Sequence, residues 1–210
     1  MWLYNYTIRI LVVSVDLQER GLVIMDLTAL IEKRRAYRSL DPVEVTEQTV
    51  SALAEAARLA PSCFNNQPWR YVFVFDKEML NKLHSALNRG NRWAERASLI
   101  IAVFSEPDQD CRIKGRDYFL FDTGMATGFL VLRTTDLGLV AHPIAGFDEQ
   151  KVKEVLHIPD HMTVITLVIV GGHADEISSL LSDKQVAWEK ERPERLKADD
   201  FIYSNEYREV

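Results

Sequence analysis

Ala57-Arg58-Leu59-Ala60-Pro61-Ser62-Cys63-Phe64-Asn65-Asn66-Gln67-Pro68-Trp69 joins a helical run to a strand-like one. It closes an alanine-rich helical run, breaks at Pro61, and then gathers Ser, Asn and Gln into a few positions. Trp69 leads straight into the apolar run Tyr71 to Phe75. A turn between helix and strand needs no such concentration of amides. Each amide side chain offers a donor and an acceptor side by side, which suits the polar edge of a flat heterocycle. The loop is therefore the first candidate for ligand binding, and Trp69 is the expected anchor seating it on the next strand.

Upstream of the loop, Thr46 is placed to open a helix with Val50, Leu53, Ala54 and Ala57 on one face. Asp41-Pro42 marks a turn before it. Asp26 is expected to cap an earlier helix through Leu27, Leu30 and Ile31. That helix ends at Lys33-Arg34-Arg35-Ala36-Tyr37-Arg38, four cations in six residues. Two readings of the cluster stand side by side. Cations at a helix C-terminus offset its dipole; alternatively, they converge beyond the helix end on a phosphate.

Downstream, Tyr71 to Phe75 reads as a central strand and Leu99 to Phe104 as a second. Between them Asp76 caps a helix carrying Met79, Leu80, Leu83 and Leu87, with His84 at its surface and Gly90 past its end. Glu106 to Lys114 reads as a loop. The longest apolar segment, about Asp117 to Leu137, predicts a helix at the buried centre, with Phe121, Met125, Phe129 and Leu132 on one face. Its Gly124, Ala126 and Gly128 permit close approach by another helix, from this chain or from a second copy. His142 to Asp148 is a compact loop, and Asp148 caps a short helix. His157 and His161 read as loop histidines. Thr163 to Val170 is a third strand ending at Gly171-Gly172, and Asp200 to Tyr203 a short final one. Helices separate the strands, which gives layered α and β structure around a modest sheet.

At 210 residues, with 47% hydrophobic and 27% charged residues, the chain has the composition of one globular domain. A net charge of −6 supplies no global basic field for nucleic acid. Two cysteines without a CxxC or a histidine in ligand spacing argue against zinc and against a disulfide framework; free thiols in a reducing cytosol are expected. Leu3 to Val15 is apolar but lacks a basic leader and a cleavage pattern, and it contains Arg9. No uninterrupted apolar run of about 18 residues marks a membrane span. Residues 1–24 are read as an extension or an over-long start, residues 25–210 as the domain, and the location as cytoplasmic.

P-loop, Rossmann and nucleophile-elbow patterns are all missing. No spacing singles out a catalytic carboxylate pair, and Ser62 and Cys63 lack an evident base. What remains is one amide loop, the early basic cluster, and Lys190 with Arg192 near the end. A cofactor with a phosphate and a polar planar ring would use all three: arginine forks for the phosphate, amides for the ring edge, and the backbone of Pro143 to Gly146 against the ring.

The quoted loop, read as A-P-S-x-x-N-x-Q-P-W, is the most specific of these signals. Together with Arg34 to Arg38, Gly138-Leu139 through Asp148, and Lys190-x-Arg192-Pro193, it makes the chain resemble the FMN-dependent nitroreductase family from about Asp26 to Tyr203. The resemblance implies an α+β, three-layer α/β/α fold with a small mixed, mainly antiparallel sheet. It also implies a homodimer with FMN at the interface and the C-terminal tail wrapped on the partner. Arg34, Arg35, Ala36, Tyr37 and Arg38 would hold the FMN phosphate and ribityl chain, with Lys190 and Arg192 completing the phosphate site. Pro61, Ser62, Cys63, Asn65 and Gln67 would line the ring, Pro143, Ile144, Ala145 and Gly146 would lie near its N5, and Asn91 would be a further contact. Ala36 stands where the family often has Ser, which removes one hydroxyl donor. The implied activity is NAD(P)H-driven, ping-pong reduction of nitroarenes, quinones or enones, with no dedicated acid or base and no metal. Alternatives are a dehalogenase-like, flavin-consuming or azoline-oxidising branch of the fold, and a non-catalytic FMN-binding or redox-sensing module.

Overall fold

A computed structural model describes residues 26–208; the reading of residues 1–24 lies outside them. The helices start where the capping residues predict. Thr46 opens α2 (Glu47–Arg58) through a reciprocal bond with Thr49, and Asp76 accepts from the Met79 N–H to open α3 (Lys77–Leu83). Asp148 does the same through Lys151 for α5 (Glu149–Leu156). Asp26 sits at the N-cap of α1 (Leu27–Lys33), yet its side chain makes no capping bond there. The long helix α4 (Phe119–Asp136) stops at Gly138, whose φ of 78° is the left-handed geometry that a glycine takes without strain.

The sheet is built on β3 (Leu99–Ser105) and β7 (Thr163–His173), paired antiparallel over most of their lengths. β2 (Arg70–Val74) lies outside β3, and β6 (Val140–Ile144) and the two-residue β1 (Leu40–Asp41) pair with β7 on its other side. Every pairing among the described residues is antiparallel.

Alternation along β3 and β7 decides the layers. Leu99, Ile101 and Val103 join Val168 and Val170 against Leu53, Ala57, Ala126 and Leu130, on the α2 and α4 side. Ile100 and Ala102 join Leu167 and Ile169 against Leu80, Leu83 and Val152, on the α3 and α5 side. Helices on both faces of one sheet give the three-layer α/β/α arrangement. Trp69 anchors its loop in the first of these cores.

The structure corrects several expectations. β2 is an edge strand rather than a central one, because β3 covers only one of its sides. Val140 to Ile144, expected to run into a loop, is a strand; its Pro143 is tolerated because β6 pairs on one side only. Glu106 to Lys114 holds a 3-10 turn and half of a small hairpin, β4 (Arg112–Ile113) with β5 (Arg116–Asp117). Asp200 to Tyr203 is no strand but the end of an exposed 3-10 turn. The α4 face bearing Phe121 and Phe129 is 62% and 43% exposed at those residues; the buried stripe instead runs through Asp122, Ala126, Leu130 and Thr134. Finally, Cys63 and Cys111 are not free thiols. They form a disulfide across 48 residues, because the hairpin turns the chain back onto the amide loop and brings their Cα atoms to 6.1 Å.

Candidate functional site

The chain leaves helical geometry at Arg34, and residues 34–38 run over the end of α6 (Asp183–Lys190). The Arg35 guanidinium donates to the carbonyls of Trp188 (2.6 Å) and Glu189 (3.2 Å) and to the Tyr37 hydroxyl. The buried Glu189 carboxylate accepts the backbone N–H of Arg38 at 2.7 Å and of Ser39 at 3.1 Å. Arg38 lies between the Trp93 and Trp188 rings, and Arg192 donates back to the carbonyls of Glu32 and Arg34. The early basic cluster and the tail are thus one assembly.

This assembly encloses a hollow of about 110 Å³ lined by Arg34, Arg35, Ala36, Arg38, Trp188, Arg192, Pro193 and Arg195. Among the described residues, the Arg34 guanidinium has no hydrogen-bond or ion-pair partner. Burial, then the charges of Arg192 and Arg195, push its pKa down. Arg38 is pushed down by burial, partly offset by Glu189. Guanidiniums do not shed the charge, so the hollow favours an anion.

Arg34 also lines a second hollow of about 300 Å³, shared with Thr123, Gly124, Thr127, Gly128 and Val131 of α4 and with Pro143, Ile165 and Thr166. A Cβ at Gly124 or Gly128 would meet nothing within 4 Å, so the strip between the two threonines is clear. The Thr123 hydroxyl is buried and has no partner among the described residues, whereas Thr127 is committed to the Thr123 carbonyl and to Tyr71. An anion hollow continuing into a flat strip, with an orphaned hydroxyl beside it, suits a phosphate attached to a planar ring.

The amide loop lies elsewhere on the chain. Phe64, Asn65 and Gln67 take φ values of 48°, 60° and 51°, left-handed backbone that costs energy for Phe and Gln. Ser62 Oγ accepts the Gln67 N–H, the Gln67 amide donates to the Asn65 carbonyl, and the Cys63 N–H donates to the buried Asp122 at 2.6 Å. Pro61 and Asn65 are exposed. Asp122 directly precedes Thr123, so the loop is tied next to one end of the second hollow, while Val131 at the other end lies nine residues on, about 13 Å at 1.5 Å per residue. No loop residue lines either arginine hollow.

Of the other sequence candidates, Tyr37 stacks on His173 at 3.7 Å. Pro143 faces the second hollow, Ile144 is buried and Ala145 is exposed. Asn91 has both ends of its amide engaged, donating to the Gly146 carbonyl and accepting from Trp93 Nε1. A Cβ on Gly146 would lie 2.5 Å from that amide nitrogen, so a larger residue there would push the Asn91 side chain aside. Lys190 is exposed and lines neither hollow. Sequence reasoning missed Glu189, Arg195, Thr123 and Thr127. Only the four-residue spacing of small residues on α4 hinted at the strip.

His142 was read only as part of a loop. It lies on β6, buried beneath Trp93, with Nδ1 3.0 Å from the Tyr37 carbonyl. The carbonyl accepts, so Nδ1 carries the proton. Burial pushes its pKa down to about 4, against the upward pull of the Tyr37 bond. The unfolded chain therefore binds this proton from about pH 6.5 downward, and the folded chain only near pH 4. Stability is expected to fall as pH drops through that window, by about 2 kcal/mol between pH 7.5 and pH 5. Urea unfolding at the two pH values measures the fall, and His142→Asn should remove most of it.

The sequence profile described as the Nitroreductase family matches residues 31–173. The chain belongs to the nitroreductase family, and it is an oxidoreductase of that family. It is similar to an NADH dehydrogenase of Thermus thermophilus, 26% identical over 195 residues, covering 75% of this chain and 92% of that protein. Among solved structures it is similar to an oxidoreductase containing FMN, with 26% identity, a TM-score of 0.76, and coverage of 89% and 96% of the two chains. It also resembles a nitroreductase family protein of Streptococcus pneumoniae, with 26% identity, a TM-score of 0.66, and coverage of 86% and 100%.

Proposed function

We propose that this chain is an FMN-dependent NAD(P)H oxidoreductase that reduces electron-poor acceptors such as nitroarenes, quinones or enones by a ping-pong cycle. One observation carries the reading: Arg34 belongs both to an arginine-rich hollow and to the strip along α4. The relatives' names, NADH dehydrogenase and oxidoreductase containing FMN, support the same donor and cofactor. Arg34, Arg192 and Arg195 hold the phosphate, Arg35 and Glu189 hold the tail that carries two of them, and Thr123 with Thr127 borders the ring. When bound, FMN supplies the two-electron chemistry, taken from the nicotinamide and passed to the acceptor.

A second copy of the chain completes the site. No residue of the amide loop lines either arginine hollow within one chain, and Ser62, Asn65 and Gln67 approach the ring from the partner. The apolar residues left outside the core favour this arrangement. Leu27 and Ile31 of α1, Phe121 and Phe129 of α4, and Leu196, Phe201 and Ile202 of the tail are all exposed. The unit is read as residues 25–210, with the tail on the partner. Among the described residues no helix is long and apolar enough to cross a membrane.

Anaerobic titration tests the function. Bound flavin should bleach with NADH or NADPH and regain its colour when a quinone or nitroarene is added. Flavin that stays yellow with both nicotinamides would reassign the chain to a non-catalytic module.

A further inference from the structure

The Cys63–Cys111 disulfide ties the strained amide loop to the segment before β4. Both cysteines are half-buried and so within reach of a reagent. Asp110 and Asp122 surround the pair. The Asp110 carboxylate accepts the Cys111 N–H at 2.8 Å and the Asn66 amide at 3.3 Å, and its other oxygen is buried with no partner among the described residues. Asp122 accepts the Cys63 N–H and contacts Asp110. Asn66 Nδ2 also lies 3.3 Å from Cys111 Sγ.

A disulfide that served stability alone would need none of this polar apparatus. Two carboxylates in contact make a proton easier to hold beside the sulfurs than at a lone carboxylate. Burial and the Asp110 charge push Asp122 upward, against the Cys63 N–H. The Asn66 amide is placed to steady a thiolate at Cys111.

We propose that Cys63–Cys111 is a redox-active disulfide that exchanges with dithiols and latches the amide loop. A thiolate of the incoming dithiol attacks Cys63 Sγ. A mixed disulfide forms and the S–S bond breaks, releasing Cys111 as a thiolate that Asn66 holds. The second thiol of the dithiol then attacks the mixed disulfide, closes its own ring, and expels Cys63 as a thiolate. The proton of that second thiol passes to Cys63, and the proton that the first thiol lost on becoming the attacking thiolate passes to Cys111. The dithiol is oxidised by two electrons and the protein ends with two thiols. With the tether gone, Phe64 to Gln67 can relax out of left-handed geometry. This inference does not depend on flavin binding.

The test equilibrates the full chain in graded ratios of reduced to oxidised dithiothreitol, quenches in acid, alkylates and weighs the product. Two alkylations should appear together in one two-electron step while the far-ultraviolet dichroism stays native. Amide exchange at Phe64 to Gln67 should rise at least tenfold on reduction, with β3 unchanged. Cys111→Ser should show the same fast loop exchange without reductant. Asn66→Ala should shift the equilibrium toward the disulfide by about 3- to 10-fold. Reduction only on unfolding would overturn the proposal. So would cysteines that alkylate without reductant, a bound metal ion shielding both sulfurs, or loop exchange indifferent to the bond.

Discussion

Arg34→Ala will weaken FMN binding by about 10- to 100-fold and leave the cofactor-free protein as stable as before, or more so. A charge-assisted bond to phosphate contributes about 1.5–3 kcal/mol, and each 1.4 kcal/mol is tenfold in affinity. The second half follows from repulsion. Arg34 is half-buried beside Arg192 and Arg195, and no carboxylate among the described residues neutralises it. Removing it relieves like-charge crowding that the anion otherwise relieves. Flavin-fluorescence titration gives the first number and urea unfolding of the cofactor-free protein the second. Riboflavin, which lacks the phosphate, should bind parent and variant with similar affinity. Equal losses for FMN and riboflavin would place Arg34 at the ring instead.

Glu189→Ala will destabilise the protein by about 3 kcal/mol and free the tail. The carboxylate is 7% exposed and accepts two backbone N–H groups from the arginine segment. Alanine leaves both unpaired in a buried site, at about 1–3 kcal/mol each. For a chain of this size that lowers Tm by about 6–12 °C, compared at one protein concentration because association shifts the melt. Glu189→Gln keeps one acceptor oxygen and should lose about half as much. Limited proteolysis should cut Glu189→Ala beyond Ser182 while the sheet stays intact. Loss of stability without tail cleavage would mean that the contact braces the arginine segment alone.

The two substitutions bear on how much the sequence discloses. Caps and periodicity are local, so Thr46, Asp76 and Asp148 announce their helices, and the apolar runs of β3 and β7 announce the central pair. β6 was obscured by Pro143 and His142, which read as turn chemistry because the one-sided pairing that tolerates them is tertiary. The Asp200 to Tyr203 run has strand composition but no partner strand among the described residues. Two cysteines 48 residues apart carry no sign of pairing until the hairpin brings them together.

The site divides in the same way. Arg34 to Arg38 and Arg192 stand out because charge clusters are visible in one dimension. Glu189 does not, since a single acid in a charged tail carries no periodic signal. Thr123 and Thr127 look like ordinary helix positions until Pro143 and Ile165 are seen across from them. Lys190 belongs to the Lys190-x-Arg192-Pro193 tail that carries the resemblance, yet it ends α6 exposed and outside the lining of the hollow that Arg195 joins.

The most direct measurement is a crystal structure of the protein grown with FMN. Phosphate density is expected among Arg34, Arg192 and Arg195, and the ring along Thr123 to Gly128. The Ser62 to Gln67 loop of a second copy is expected over the ring. FMN bound with its phosphate away from these three guanidiniums, or a ring completed by one chain alone, would contradict this arrangement.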